Sequence, residues 1–187
     1  MRTAICKFVS ASPYSQSKHH MTDKLDKENN DDYEKRTWRE RCNTTEDGNI
    51  FIPPMAFANC IKHAAKHLSL SIPGEGKAKY TKHFQAGILV TEGLVLPETK
   101  DTVKGEWLFV PSDGTRGGGK RVSKCFPLIP QWKGVIKFLI FDNKITEEIF
   151  SKVLREAGML IGIGRFRPCN LGYYGRFTVE DIKWQEE

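Results

Sequence analysis

The segment from Gly162 to Phe177, GIGRFRPCNLGYYGRF, contains the residue types that hold phosphate groups. Glycine permits positive φ, so successive amides can point outward as an anion nest, and arginine adds planar donors for phosphate or for stacking on bases. The candidate contacts here are Arg165, Arg167, Tyr173, Tyr174 and Arg176. Adjacent strand residues face opposite ways, so at most one tyrosine is expected to stack on a base. The alternative is a glycine-rich turn with solvated arginines before an edge strand.

A second basic group lies in SDGTRGGGKR and the residues after it. Arg116, Lys120, Arg121 and Lys124 fall within nine residues, and the three consecutive glycines indicate a loop at the tip of a hairpin. We therefore predict a protruding hairpin loop over 112–124 that contacts nucleic acid, with an ordinary exposed hairpin as the alternative. Neither a Walker motif nor a dinucleotide GxGxxG motif in the required context is present.

A helix predicted over 54–69 has one basic face. Helical spacing places Phe57, Ile61 and other apolar side chains on one side and Lys62, His63 and Lys66 on the other. These three residues are predicted to face phosphate.

The histidines raise the question of catalysis. His63 and His67 are four residues apart, but no third ligand accompanies them, so no metal and no cofactor are expected. A metal-independent ribonuclease needs a group that titrates near neutrality, and the candidates are His19, His20, His63 and His83. Because the spacing singles out none of them and no nucleophile motif is present, we expect a protein without enzymatic activity, with an endoribonuclease as the alternative.

Charge and composition favour an anionic partner. The 187-residue chain has a net charge of +6, an apolar fraction of 39% and five scattered cysteines without zinc-site spacing. A basic domain of this kind is typical of nucleic-acid binding, and no apolar run is long enough to span a membrane. Widely spaced, odd-numbered cysteines are typical of buried thiols in a reducing cytoplasm, so a cytoplasmic location is expected.

The helices and strands that would position these residues are predicted to form one domain over 1–187. Strand patterns occur at 3–11 and 50–52, around 86–96, at 105–111 and in the segments VSKCFPLIP, KGVIKFLIFD and RFTVEDIKW. A second helix is predicted to begin at a Thr146 cap and to run to about Ala157, where Gly158 ends it. Residues 12–49 are polar and predict a long, partly mobile insertion or arm. The order of the strong elements predicts an α+β, ferredoxin-like (RRM-like) antiparallel sheet with two packed helices, a long insertion after the first strand and a protruding basic hairpin.

The chain resembles the RAMP superfamily, the RRM-like proteins that build CRISPR effector complexes and process guide RNAs. GNIFIPPMAFANCIKHAAKHL resembles the strand, proline turn and first helix of that superfamily, and GYYGRFTV resembles the glycine-rich segment that enters its last strand. The resemblance covers residues 1–11 and 50–184. It departs at Pro53-Pro54-Met55-Ala56, which replaces a Ser/Gly-rich turn.

The resemblance implies a function as well as a fold. It is nearest to the backbone-filament subunits, and implies a stand-alone or phage-encoded relative that coats RNA or single-stranded DNA by self-association, with CRISPR-complex proteins as further partners. A RAMP-type endoribonuclease is one alternative. The other is a protein that imitates a subunit of a nucleoprotein complex and acts through the 14–49 arm.

Overall fold

The computed structural model describes residues 1–112, 114, 117 and 119–186 of the chain. It has an α+β fold of antiparallel sheets and helices. In chain order the elements are β1 (Arg2–Ser10), β2 (Tyr14–Ser15), α1 (Asn30–Thr37), β3 (Asn49–Ile52), α2 (Pro54–Leu68), α3 (Thr81–Ala86), β4 (Ile88–Val90), β5 (Leu94–Thr99), β6 (Lys104–Pro111), β7 (Arg121–Ile129), β8 (Lys133–Ile140), α4 (Glu147–Glu156) and β9 (Phe177–Glu186). Within the described ranges, no helix is long and apolar enough to cross a membrane.

A four-stranded sheet in the order β4-β8-β1-β9 forms the centre of the fold. β1 is antiparallel to both neighbours, and Cys6 is paired with Ile136 on one side and Ile182 on the other. β1 and β4 are both antiparallel to β8 and therefore run parallel to each other, with α2 between them in the chain. β8 and β9 are both antiparallel to β1 and therefore run parallel to each other, with α4 between them in the chain.

The core lies between this sheet and helices α2 and α4. Alternate residues of β1, namely Ala4, Cys6 and Phe8, are fully buried, as the period of two predicts. Phe8 stacks on Phe57 of α2 with ring centroids 5.5 Å apart. Aromatic packing of this kind fixes the helices on one face of the sheet.

Helix α2 has the predicted position and the predicted apolar face. Pro54 occupies its first turn, where its missing N–H costs nothing, and Ser69 ends it in the left-handed conformation. Phe57, Ile61 and Ala64 are buried.

Helix α4 begins at the predicted cap but ends differently from the prediction. The Thr146 side chain accepts a hydrogen bond from the Ile149 amide. After Glu156 the chain continues through a π-helical turn, Ala157–Ile161, and the positive φ residue that ends it is Gly162. Gly158 is required for another reason, because a Cβ there would lie 2.2 Å from the Phe177 carbonyl oxygen.

Two smaller sheets complete the fold. β6 and β7 form the predicted hairpin, with Pro111 opposite Arg121, and β2 adds to the other edge of β7. The predicted 112–124 loop is therefore shorter, because β7 already begins at Arg121. β5 pairs with β3.

Residues 12–49 pack against the hairpin despite their polar composition. Glu34 of α1 forms a buried salt bridge of 2.6 Å with Arg41, which lies in the 3-10 turn Trp38–Arg41. Glu34 Oε1 also accepts the Cys125 amide of β7 at 2.8 Å, and Trp38 is buried. Neither α1 nor the Glu34–Arg41 pair was predicted from the sequence, because both side chains are charged and the strand that covers them, with Cys125, lies far along the chain.

Candidate functional site

The glycine-rich segment, residues 162–177, is bonded to β2 and to itself. The Arg165 amide donates to Ser15 O at 2.8 Å, Gly175 N donates to Pro13 O at 2.8 Å, and Ile163 N donates to Gly175 O at 3.0 Å. Gly164 and Gly175 both have φ of +78°, and a Cβ on Gly175 would lie 1.8 Å from the Ile163 carbonyl oxygen. Glycine is thus required here for close backbone approach.

Most backbone amides of this segment donate hydrogen bonds within the protein. The segment therefore offers fewer outward-pointing amides to an anion than the sequence predicts. Five amides, those of Gly164, Phe166, Arg167, Cys169 and Tyr173, donate to no backbone carbonyl among the residues that the structure describes. An anion would have to bind through amides of this smaller group.

The Arg165 side chain is held between two aromatic rings. Its guanidinium carbon lies 3.5 Å from the ring centroid of Phe126 on β7 and 4.2 Å from that of Phe166. Burial lowers the pKa of Arg165 to about 10. Its Nη1 is buried without a hydrogen-bond partner in the described part of the chain, so one of its donors is unused within the fold.

The other two arginines of the segment differ in their surroundings. Arg167 Nη1 makes only a long bond of 3.4 Å to Gly164 O, and its Nε donates to Cys169 Sγ. Arg176 Nε instead donates to Met159 O at 3.2 Å, which braces the π-helical turn. Arg176 therefore has a structural contact that the sequence did not predict.

The two tyrosines lie in different environments, although neither is in a strand, because β9 begins only at Phe177. Tyr173 is 64% exposed. The Tyr174 hydroxyl donates to the Glu106 carboxylate, and burial together with that bond raises the pKa of Tyr174 to about 12. Tyr173 is therefore the ring that is free to stack on a ligand.

Three parts of the chain enclose a cleft of about 460 Å³ beside Arg165, which we call the basic cleft. This volume falls in the range of ligand-binding clefts, roughly 300–1,000 Å³. These parts are both ends of the insertion, α2 with the proline before it, and the chain from 161 to 167. The lining residues are Tyr14, Gln16, Ser17, Lys18, Asn43, Pro53, Met55, Ala56, Asn59, Cys60, His63, Ile161, Gly162, Gly164, Arg165 and Arg167.

The charge of the basic cleft has one sign. Lys18, Arg165 and Arg167 line it, and no Asp or Glu lies in its wall among the described residues. The N-terminal end of α2, whose first turn has no acidic residue, contributes further positive potential. The cleft is thus suited to an anion.

The basic face of α2 is only partly in the basic cleft. His63 is exposed and lines it, whereas Lys62 is half-buried and Lys66 is exposed elsewhere on the helix. The structure brings His63, Arg165 and Arg167 together and leaves Lys62 and Lys66 outside the lining.

The hairpin residues lie beside a second depression of about 520 Å³. Lys124 lines it together with Lys24, His19 and His20, and so do the carboxylate of Asp31 and the Glu34–Arg41 pair. Ser17 and Lys18 line both depressions. Lys120 and Arg121 are exposed near the hairpin tip, where Arg121 donates to Phe109 O at 3.2 Å. Arg116 lies outside the described residues.

The four candidate histidines lie in three places, and only His19 and His20 share one, the second depression. His83 binds Asp142 through Nδ1 at 2.7 Å and lines neither depression, whereas His20 lies against Tyr33, and burial, followed by the charge of Arg41, lowers its pKa. His63 alone of the four lines the basic cleft. In the described ranges no three His, Cys, Asp or Glu side chains form a group that could hold a metal ion.

The insertion supplies cleft residues that the sequence analysis missed. Lys18, Gln16 and Asn43 lie in its walls, and Phe126 supports Arg165 from the hairpin. Their only sequence signal is the Lys18-His19-His20 run, which the polar composition of residues 12–49 obscures.

Comparison with known proteins identifies no family for the chain. No protein-family model and no curated protein matches the chain by sequence. The chemistry of the basic cleft is therefore the basis for assigning a function.

Proposed function

We propose that this protein binds RNA or single-stranded DNA without cleaving it and largely without regard to sequence. The observation that carries the proposal is the basic cleft. Three cationic side chains line it, no carboxylate among the described residues does, and Arg165 Nη1 is buried without a partner there. Phosphate oxygens are acceptors that satisfy such donors.

An extended polyanion fits this surface better than a single phosphate does. Lys18 joins the basic cleft to the second depression, where Lys24, Arg41 and Lys124 outnumber the carboxylates of Asp31 and Glu34. A positively charged groove that follows a backbone, combined with exposed rings, is typical of single-strand binding. The 39% exposed Phe166 lies against Arg165 of the cleft, and Tyr173 is a second exposed ring of the same glycine-rich segment.

We further propose that the four-stranded sheet with α2 and α4 is a ferredoxin-like unit of the RAMP type. The strand order β4-β8-β1-β9, with α2 and α4 as the crossovers, supports this proposal. The glycine-rich segment that enters β9 at Phe177 also supports it. On this basis self-association along a nucleic acid and contact with CRISPR-complex proteins are proposed as well.

Fluorescence anisotropy with labelled RNA and DNA single strands tests the binding proposal. Affinity should fall steeply with salt, because each neutralised phosphate contributes about −0.7 to the slope of log K against log salt for single strands. Absence of binding to either strand at low salt would overturn the proposal.

A metal-independent endoribonuclease is the second candidate, and the exposed His63 in the basic cleft favours it. It requires RNA cleavage in EDTA that His63→Ala abolishes. His83→Ala is the matched control, because that histidine lies outside both depressions. Bound RNA that stays intact in this assay excludes the candidate.

A further inference from the structure

Gln16 is a buried amide that lines the basic cleft. Its side chain is 3% exposed and directly follows β2. Its Oε1 accepts a hydrogen bond from Asn43 Nδ2 at 2.6 Å. The Nε2 of Gln16, however, has no partner among the described residues.

An unpaired buried amide is costly, and the backbone around it holds it in place. A buried donor without a partner destabilises the fold, because it has lost its hydrogen bonds to water and gained none in return. Ser15 Oγ donates to Pro127 O at 2.9 Å on one side, and Lys18 N donates to Arg41 O at 2.9 Å on the other. Gln16 is thus held in place in the wall of the cleft, with its Nε2 donor unused.

The Gln16–Asn43 pair presents both a donor and an acceptor. Once one amide has bonded the other, one NH₂ group and one carbonyl remain, and this is true for either orientation of the two amides. A phosphate offers only acceptors, whereas the edge of a nucleobase offers acceptors beside a donor. The pair therefore matches a base edge better than it matches a phosphate.

The other lining residues of the basic cleft form an apolar group and a cationic group, which suit the base and the phosphate of a nucleotide. Pro53, Met55 and Ala56 bring apolar surface from the start of α2, and Met55 is exposed. Arg165 and Arg167 bring positive charge from the glycine-rich segment. An apolar base face and an anionic phosphate can thus be accommodated in one depression.

We propose that Gln16 and Asn43 read the edge of one nucleobase, so that the protein prefers particular nucleotides at a single position of a bound strand. This rests on the proposed function of single-strand binding. The preference is superimposed on phosphate contacts that are independent of sequence.

Competition among short RNA strands of only U, only A or only C tests this inference, with anisotropy of a labelled strand as the readout. We expect the best and worst strands to differ by about fivefold or more, because a good bidentate base contact discriminates by roughly 1–3 kcal/mol. Gln16→Leu should reduce that ratio to less than about twofold and leave the salt slope unchanged. Asn43→Ala is the second variant, should Gln16→Leu fail to fold, and it should reduce the ratio in the same way.

The outcomes separate the two proposals. Equal affinity for all three strands, with a normal salt slope, overturns base reading and leaves single-strand binding intact. A ratio that persists in folded Gln16→Leu and Asn43→Ala also overturns base reading. No binding to any strand overturns the proposed function and this inference together.

Discussion

The guanidinium of Arg165 lies over the ring of Phe126, with its central carbon 3.5 Å from the ring centroid. Phe126 is buried on β7, whereas Arg165 belongs to the segment between α4 and β9. The contact therefore connects the hairpin sheet to the central fold. A stacked guanidinium loses little further conformational freedom when it binds a ligand, because its plane is already set.

Arg165→Ala is expected to weaken binding of RNA single strands by about tenfold or more, since hydrogen bonds to charged groups contribute roughly 1.5–3 kcal/mol. The salt slope should decrease by about 0.7 for the lost phosphate contact. Arg165→Lys should keep the slope but lose affinity, because an ammonium does not reproduce the stacked, planar donors. Anisotropy titrations at several salt concentrations measure both quantities.

Lys82→Ala is the matched control for charge, because Lys82 is exposed on α3 and lines neither depression. Its affinity and slope should stay close to those of the unaltered protein. Equal behaviour of Arg165→Ala and Lys82→Ala would contradict a phosphate contact at Arg165.

Tyr173→Leu should weaken binding by about 1–3 kcal/mol without changing the salt slope, because a stacked ring contributes that much per base and carries no charge. Tyr173→Phe keeps the ring and should bind normally. The same titrations separate the two variants. Full affinity in Tyr173→Leu would show that the exposed ring does not contact a base.

Glu34→Ala should lower the free energy of unfolding by about 3–5 kcal/mol, because it leaves Arg41 buried and unpaired. The Cys125 amide also loses its acceptor. Lys35→Ala, which removes an exposed partner of Asp32 on the same helix, should change stability by about 1 kcal/mol or less. Chemical denaturation compares the two, and a small effect of Glu34→Ala would mean that the insertion is not clamped to β7 through this pair.

Gly175→Ala should destabilise the fold much more than Gly74→Ala does. Both glycines have φ of +78°, so both variants bear the backbone cost of about 1–2 kcal/mol for a left-handed residue. Only at position 175 would the new Cβ meet the Ile163 carbonyl oxygen, whereas nothing lies within 4 Å at position 74. Thermal unfolding of both variants measures the difference, and equal melting temperatures would rule out the close approach.

Asp142→Asn should remove part of the acid sensitivity of the fold. Burial raises the pKa of Asp142, but bonds from the Lys144 amide and from His83 outweigh it and hold that pKa below the ordinary 3.8. The unfolded chain therefore binds the proton more readily, and the stabilisation from Asp142 is present above pH 3.8 and lost as the pH falls through the lower folded value. The slope of unfolding free energy against pH in this acidic range should be smaller in Asp142→Asn than in a control, Asp101→Asn, at an exposed position.

The candidate site was predictable where its residues are neighbours in the sequence. Arg165 and Arg167 were predicted from their glycine-rich segment, and both line the basic cleft. Lys18, Gln16 and Asn43 were not predicted, because they lie in a polar stretch whose composition is also that of a solvated arm. Arg176 was predicted as a contact and has a bond to Met159 O, which no local pattern reveals.

The amino-acid sequence by itself determined the elements whose signals are local. The period of two in β1, the Pro54 start of α2 and the Thr146 cap of α4 each depend on residues within a few positions of one another. Only the tertiary structure decided which residues far apart in the sequence come into contact. Glu34 reaches Cys125, Arg165 reaches Phe126, and Gln16 reaches Asn43, over separations that periodicity does not encode. The burial of those polar groups, and hence their availability to a ligand, is a property of the packed chain, because desolvation depends on what folds over a residue and not on its neighbours in sequence.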